Sequence, residues 1–237
     1  MMNRLNGENR YAIFKEIVSS VIHDLKNPLS AITLGLEFIE MNAAGGKIPP
    51  QAISGAISSA ARIDQLLDAL SLYFHDENTP PTAVPLAHLL GKARLLVGYY
   101  LTGSQVKLQI EEGGDGHSVL VNLGQTYQAV VMLLIGMVKR SRPGTAIRAV
   151  INQDRDWQVM EFSTNGAGQA SPADADEAGR PGSNGNHRDL AAVCFDTARE
   201  LLEGNGFELE MPEQWEPPAR IALRKQIGAG PAEQGRA

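Results

Sequence analysis

Apolar residues recur every three or four positions through two long stretches at the start of the chain. In the first stretch they fall at Phe14, Val18, Val21, Leu25, Leu29, Ile32, Leu36 and Ile39, and in the second at Ile53, Ala56, Ala60, Ile63, Leu67, Leu70 and Phe74. Such spacing is typical of heptad seams on α-helices. Gly45 and Gly46, followed by Pro49 and Pro50, separate the stretches. The pattern therefore predicts two helices joined by a short loop.

Pro28 lies inside the first stretch. The alternation of three- and four-residue steps is interrupted there, because the steps from Val21 to Leu25 and from Leu25 to Leu29 are both four residues. A proline in a helix interior has no amide N–H to donate, and its ring crowds the preceding turn. We therefore predict a kink of the first helix at this position.

A hairpin of two helices cannot bury two seams by itself. Pairing with a second copy would cover both and give a four-helix bundle across a dimer axis. The alternative is that the hairpin packs on the C-terminal half of its own chain. The narrow form of the seams favours the homodimer.

The pattern changes after a short linker at 79–82. Helical periodicity is predicted at 86–101, 125–140 and 190–203, and strands at 105–111, 118–121, 145–153, 157–163, 207–211 and 219–225. This order predicts helices over one face of a mixed sheet, and an α+β class for the whole chain. We divide the chain into a helical hairpin (1–78), an α/β sandwich (83–227) and a disordered tail (228–237).

Composition excludes several classes of protein. The 237 residues carry a net charge of −6, whereas a duplex nucleic-acid binder needs a basic surface. One cysteine, Cys194, rules out a disulfide framework and a thiolate zinc site. The longest apolar run, at 129–138, is too short to span a bilayer, and the N-terminus lacks the apolar core of a signal peptide. We expect a cytoplasmic protein with no nucleic-acid or membrane partner.

Three polar residues of the first helix are candidates for chemistry. His23 and Asn27 lie four residues apart and so share a helix face, which points to solvent if Val21 and Leu25 occupy the seam. Asp24 can accept the Nδ1–H of His23 and leave Nε2 as an exposed nucleophile. Asn27 can orient a water molecule or a phosphoryl oxygen. Taken alone, a His–Asp pair is more often part of an ordinary solvated helix face.

The seven residues from His23 to Leu29 read His-Asp-Leu-Lys-Asn-Pro-Leu. This string closely resembles the H-box of two-component histidine kinases, which reads His-(Glu/Asp)-Leu-(Lys/Arg)-(Asn/Thr)-Pro-Leu. The resemblance implies that His23 is the phosphorylated residue and Asp24 its activating carboxylate. It also implies that Asn27 serves phosphatase chemistry by placing a water on the phospho-aspartate of a partner receiver domain.

The second half resembles the ATP-binding domain of that family in its order of elements, but the metal-binding motif differs. The motif Asn-Leu-Leu-x-Asn-Ala-x-Lys aligns with the segment 132–139, where Met132 and Gly136 replace the two asparagines. In the family this motif holds Mg²⁺, and neither replacement offers the hard oxygen that Mg²⁺ requires. Lys139 is retained and could still contact a phosphate. We predict no metal site.

The two glycine motifs of the family are also incomplete. Asp-x-Gly-x-Gly aligns with the segment 164–168, in which Thr164 replaces the carboxylate that accepts the adenine amino group while Gly166 and Gly168 remain. The last motif, Gly-x-Gly-Leu-Gly-Leu, has no counterpart at 186–190, so the phosphate cradle at a helix N-terminus is missing. This half is interpreted as a docking and packing platform. The alternative is an atypical nucleotide site that uses Lys139, Gly166 and Gly168.

We therefore expect a phosphorelay protein that carries a phosphoryl group on His23 and exchanges it with receiver aspartates, as a histidine phosphotransferase or pseudokinase with phosphatase activity through Asn27. Its expected partners are a second copy, a receiver domain and an upstream kinase or sensor. One alternative is a true histidine kinase with a divergent site, which would need ATP and Mg²⁺. Another is a non-enzymatic module that binds a response regulator; otherwise no cofactor is expected.

Overall fold

Two long helices open the chain and a mixed sheet closes it. The computed structural model describes residues 2–43, 50–75, 79–113, 118–165, 190–212 and 219–227. The helices in these ranges are α1 (Met2–Ala43), α2 (Pro50–Tyr73), α3 (Leu86–Leu96), α4 (Gly98–Gly103), α5 (Leu123–Arg140) and α6 (Leu190–Gly204). The strands are β1 (Thr82–Pro85), β2 (Lys107–Gly113), β3 (Ser118–Val121), β4 (Ala146–Asp154), β5 (Trp157–Asn165), β6 (Glu208–Glu210) and β7 (Arg220–Gln226). The α+β class is confirmed.

The main sheet has five strands in the order β2-β4-β5-β7-β6. Only the β2–β4 pair is parallel, and β4 turns directly into β5 around Arg155, as the alternating pattern predicts. Side chains on one face of β5, from Gln158 to Thr164, are buried at every second position. One face of the sheet is therefore covered and joins the hydrophobic core, which is the layered arrangement expected from the sequence.

Two details of the sequence-based assignment were wrong. The predicted linker at 79–82 ends in a short strand, β1, which pairs antiparallel with β3 in a separate two-stranded sheet. The single helix predicted at 86–101 is two helices, α3 and α4, because the backbone leaves the helical region at Val97, with φ −90° and ψ 1°. Gly98 follows directly, and glycine is a poor residue for continuing a helix.

Helix α5 is buried along most of its length. It begins at Asn122, whose side chain accepts the N–H of Gln125 at 3.0 Å, and it ends with Lys139 and Arg140 in its last turn. Every residue from Ala129 to Val138 is buried. A helix that is apolar on all sides must be covered on all sides, so α5 fixes the positions of its neighbours.

One end of the helical hairpin packs on the C-terminal half of the same chain. Ile13, Ile17 and Val21 of α1, with Ala69 and Tyr73 of α2, are buried in the same core cluster as α5 and the sheet. At this end the hairpin therefore packs on the C-terminal half of its own chain, which is the alternative to pairing with a second copy. The core runs across the boundary that we drew between 78 and 83, and the division into two domains stays a prediction.

Much of the heptad seam remains uncovered. Six seam residues are exposed in the described chain: Leu29, Leu36, Ile53, Ala60, Leu67 and Phe74. The homodimeric four-helix bundle that would bury them stays a prediction. Helix α1 is continuous through Pro28, and the kink at this proline also stays a prediction. None of the described helices is both long enough and apolar enough to cross a membrane. The predicted tail at 228–237 lies outside the described residues.

Candidate functional site

His23 lies on the open side of α1. Its side chain is 56% exposed, whereas that of Asp24 is 19% exposed. The Nδ1 atom of His23 lies 3.6 Å from the Oδ1 atom of Asp24, which is close enough for an electrostatic contact but longer than a hydrogen bond. The exposed imidazole therefore has a carboxylate beside one nitrogen, and its other nitrogen, Nε2, is the one left for an incoming group.

Asn27 lies one helical turn after His23 and is also exposed. The same helix carries both residues on one face, while Val21 is buried. This is the orientation that the helical periodicity predicts. The three candidate residues of α1 are thus adjacent on one accessible surface.

A tyrosine from the C-terminal half also lies at this surface. The ring centroid of Tyr99, in α4, is 4.8 Å from that of His23, and the two planes are tilted by 56°. Tyr99 is 41% exposed. A Cβ atom on the preceding residue, Gly98, would lie 3.5 Å from the Oδ2 atom of Asp24. Tyr99 was not among the residues predicted from the sequence, since nothing local in the sequence relates α4 to α1.

Nearly two helical turns before His23, a polar contact at Glu16 joins α1, α4 and α5. The Tyr100 hydroxyl donates a hydrogen bond to Oε2 of Glu16 at 3.4 Å, and the Nζ atom of Lys139 lies 3.8 Å from the same oxygen. The Lys139 ammonium also lies 5.4 Å from the centroid of the Tyr100 ring. Burial raises the pKa of the Tyr100 hydroxyl, and the negative charge of Glu16 raises this pKa further. Lys139, predicted to contact a phosphate, is here paired with a carboxylate of α1.

The two positions that align with the family's metal-binding asparagines lie in packed surroundings. Met132 and Gly136 are both buried in α5. A Cβ atom on Gly136 would lie 2.9 Å from Cε1 of Phe195, in α6. The ring of Phe195 therefore occupies the space that a side chain at Gly136 would need. No oxygen ligand for Mg²⁺ can come from these two side chains.

Thr164 stands where the family has its adenine-binding carboxylate. It is buried, and its Oγ1 atom accepts the N–H of Ala219 at 3.0 Å. The Thr164 N–H in turn donates to the Ala219 carbonyl at 3.0 Å. These two bonds tie the end of β5 to the residue before β7. Gly166 and Gly168, the other predicted nucleotide contacts, lie outside the described residues.

The described residues therefore do not fit a magnesium–nucleotide complex of the kind that the family binds. Met132, Gly136 and Thr164 lack the required oxygens or use them in the fold. Within the described ranges, no group of three or more His, Cys, Asp or Glu side chains is placed to hold a metal ion. Lys139 does line an open cleft of about 490 Å³, together with Ser104, Arg140, Ser141, Leu190 and others.

The fold is similar to several solved structures. The Acinetobacter baumannii histidine kinase AdeS matches 87% of this chain and 98% of its own, at 11% identity and a TM-score of 0.47. A structure described as a bacterial phosphotransferase matches 89% of this chain and 93% of its own, at 18% identity and a TM-score of 0.43. The nucleotide-free catalytic domain of the histidine kinase ThkA matches 63% of this chain and 97% of its own, at 10% identity and a TM-score of 0.48.

No protein-family model matches the sequence, and no curated protein matches it either. Among the solved structures that match are histidine kinases, which is the family that the H-box resembles.

Proposed function

We propose that this protein is a two-component phosphorelay protein that accepts a phosphoryl group on Nε2 of His23 from a receiver aspartate and passes it to another receiver. The observation that carries the proposal is the exposed His23 imidazole with the Asp24 carboxylate beside its Nδ1 atom. The H-box string from His23 to Leu29 supports the same role. The first half of the chain thus supplies the nucleophile.

The transfer needs no cofactor from this chain. The lone pair of Nε2 attacks the phosphorus of the receiver's aspartyl phosphate, so an N–P bond forms while the bond from phosphorus to the aspartate oxygen breaks. The receiver carboxylate leaves with the bonding electrons. The proton on Nδ1 stays in place, and the negative charge of Asp24 stabilises the positive charge that develops on the ring. The rate then depends on alignment of the two partners.

Asn27 has a separate role in this proposal. Its exposed amide lies one turn from His23 on the same face, within the surface that a receiver docked at His23 would cover. The amide can orient a water molecule toward the receiver's phospho-aspartate. The protein would then also dephosphorylate the receiver and release inorganic phosphate.

The described part of the nucleotide region argues against ATP as the phosphoryl source. Gly136 is closed off by Phe195, and the Thr164 hydroxyl is engaged by the Ala219 N–H. The phosphoryl group is therefore proposed to come from a receiver that an upstream kinase has phosphorylated. The C-terminal half serves as a packing and docking platform, and a second copy covers the exposed seam.

The test mixes the purified protein with a receiver domain that carries ³²P on its aspartate, with Mg²⁺ supplied for the receiver. Wild-type protein should gain acid-labile label, and His23→Gln should gain none. His88→Gln is the matched control, because His88 is an exposed histidine on α3. Label from Mg·ATP instead of the receiver would favour the true kinase. Receiver binding with neither label nor loss of receiver phosphate would favour the non-enzymatic module.

A further inference from the structure

The first turn of α4 lies against the helix that carries His23. Tyr99 contacts the His23 ring, and the backbone at Gly98 lies next to Asp24. Two neighbouring residues of the C-terminal half thus meet two neighbouring residues of the proposed phosphoacceptor site. None of these four residues belongs to the buried hydrophobic core cluster.

The backbone around Tyr99 is held in place by its neighbouring residues. Val97 and Tyr100, which flank Gly98 and Tyr99, are both buried. The Tyr100 hydroxyl is hydrogen-bonded to Glu16, nearly two turns before His23 on α1. The backbone on both sides of Tyr99 is therefore fixed relative to α1. Tyr99 projects from this anchored turn with part of its ring still accessible.

We infer that Tyr99 is a positioning residue for His23, an inference that rests on the proposed phosphotransfer. The ring of Tyr99 at 4.8 Å restricts rotation of the imidazole on one side, while Asp24 faces Nδ1. An exposed histidine on a helix otherwise exchanges among several rotamers. Holding one rotamer keeps Nε2 aimed outward and lowers the orientational cost of attack on the receiver phosphate.

The contact is made by the aromatic ring, so the hydroxyl of Tyr99 is not required. Tilted aromatic pairs at centroid distances of about 4.5–7 Å attract each other through their ring faces and edges. Tyr99→Phe should therefore keep the effect, and Tyr99→Leu should lose it although its side chain is also apolar. Since Tyr99 is 41% exposed, neither change removes a core side chain.

The test measures phosphoryl transfer from ³²P-labelled receiver at several receiver concentrations. Tyr99→Leu should lower the rate at saturating receiver by about tenfold, on the scale expected for a misaligned reactant, and leave the half-saturating concentration near the wild-type value. Tyr99→Phe should stay within about twofold, because a ring of the same size is retained. Leu120→Ala is the control for truncating an exposed apolar residue elsewhere in this half.

A second measurement needs no phosphoryl donor. The Tyr99 ring should shift the His23 ring-proton NMR resonances, so these should move in Tyr99→Leu and remain near the wild-type positions in Tyr99→Phe. A wild-type transfer rate in Tyr99→Leu, or a change in half-saturation alone, overturns the positioning role and leaves the proposed function intact. Wild-type protein that exchanges no phosphoryl group overturns both.

Discussion

A Cβ atom on Gly136 would lie 2.9 Å from the Cε1 atom of Phe195, closer than such atoms approach in folded proteins. This relationship joins α5 and α6 at the position that aligns with a metal-binding asparagine. It explains in packing terms why a small residue stands there. The ring of Phe195 fills the volume that a side chain at this position would need, so the glycine at 136 and the close approach of α6 are one structural feature.

Gly136→Ala should therefore lower stability even though alanine is the better helix former. We expect a loss of about 1–3 kcal/mol in the free energy of unfolding, because the Phe195 ring must move in a packed environment. Gly91→Ala is the matched control. Gly91 lies inside α3, and a Cβ there meets nothing within 4 Å, so this change should add about 0.5–1 kcal/mol.

Urea unfolding of both variants followed by circular dichroism measures these free energies. A double variant, Gly136→Ala with Phe195→Ala, should show that the cost of the Gly136→Ala change shrinks when the ring is absent. Equal costs in both backgrounds would contradict the proposed crowding. So would a Gly136→Ala protein as stable as Gly91→Ala.

Loss of the hydroxyl should have different effects on stability at two buried tyrosines. The Tyr100 hydroxyl donates to Glu16, so Tyr100→Phe should cost about 1 kcal/mol of unfolding free energy. The Tyr127 hydroxyl is buried, and no described group hydrogen-bonds to it. Tyr127→Phe should therefore be neutral or should stabilise the protein by up to about 1 kcal/mol. Urea unfolding at neutral pH compares the two, and a large loss in Tyr127→Phe would contradict this.

These two hydroxyls should make the stability of the protein depend on pH in the alkaline range. Burial is the main reason why the pKa values of Tyr100 and Tyr127 lie above the ordinary value of 10.0. Because the pKa is higher in the folded state than in the unfolded chain, the contribution of each buried tyrosine to the free energy of unfolding is fully present below pH 10. It is lost as the pH rises above 10, because the unfolded chain ionises first.

Stability measured between pH 9 and pH 11 should fall less steeply in Tyr127→Phe than in the wild-type protein. Identical slopes for wild type and Tyr127→Phe would show that ionisation of Tyr127 contributes nothing.

The exposed seam residues lead to a prediction about the proposed homodimer. Leu36 belongs to the seam and Leu34 does not, and residues two positions apart project about 200° apart around a helix. Their side chains are 55% and 65% exposed in the single chain. Leu36→Glu should therefore weaken the proposed homodimer strongly, because it places a charge in an apolar interface, while Leu34→Glu should leave it unchanged.

Analytical ultracentrifugation over a range of concentrations measures this equilibrium. A monomeric wild-type protein would contradict the predicted dimer. Equal effects of the two variants would show that the seam is not the interface. Because both leucines are exposed in the chain, neither substitution should unfold it.

Local patterns in the sequence were enough to predict most of the helices and strands. The long helices α1 and α2, the apolar helix α5 and the turn around Arg155 follow from periodicity and from the residues that begin or end each element. The outward orientation of His23 also followed, because residues four apart share a helix face and Val21 marks the buried side. Each of these features depends on neighbours along the chain.

The tertiary structure alone decided which distant residues meet. It placed Tyr99 on His23, the ring of Phe195 against Gly136, and the charge of Lys139 beside Glu16. It also gave β1 a partner strand. These contacts join segments far apart in the chain. A local pattern of polar and apolar residues sets which face of an element is buried, but it carries no information about the partner on that face.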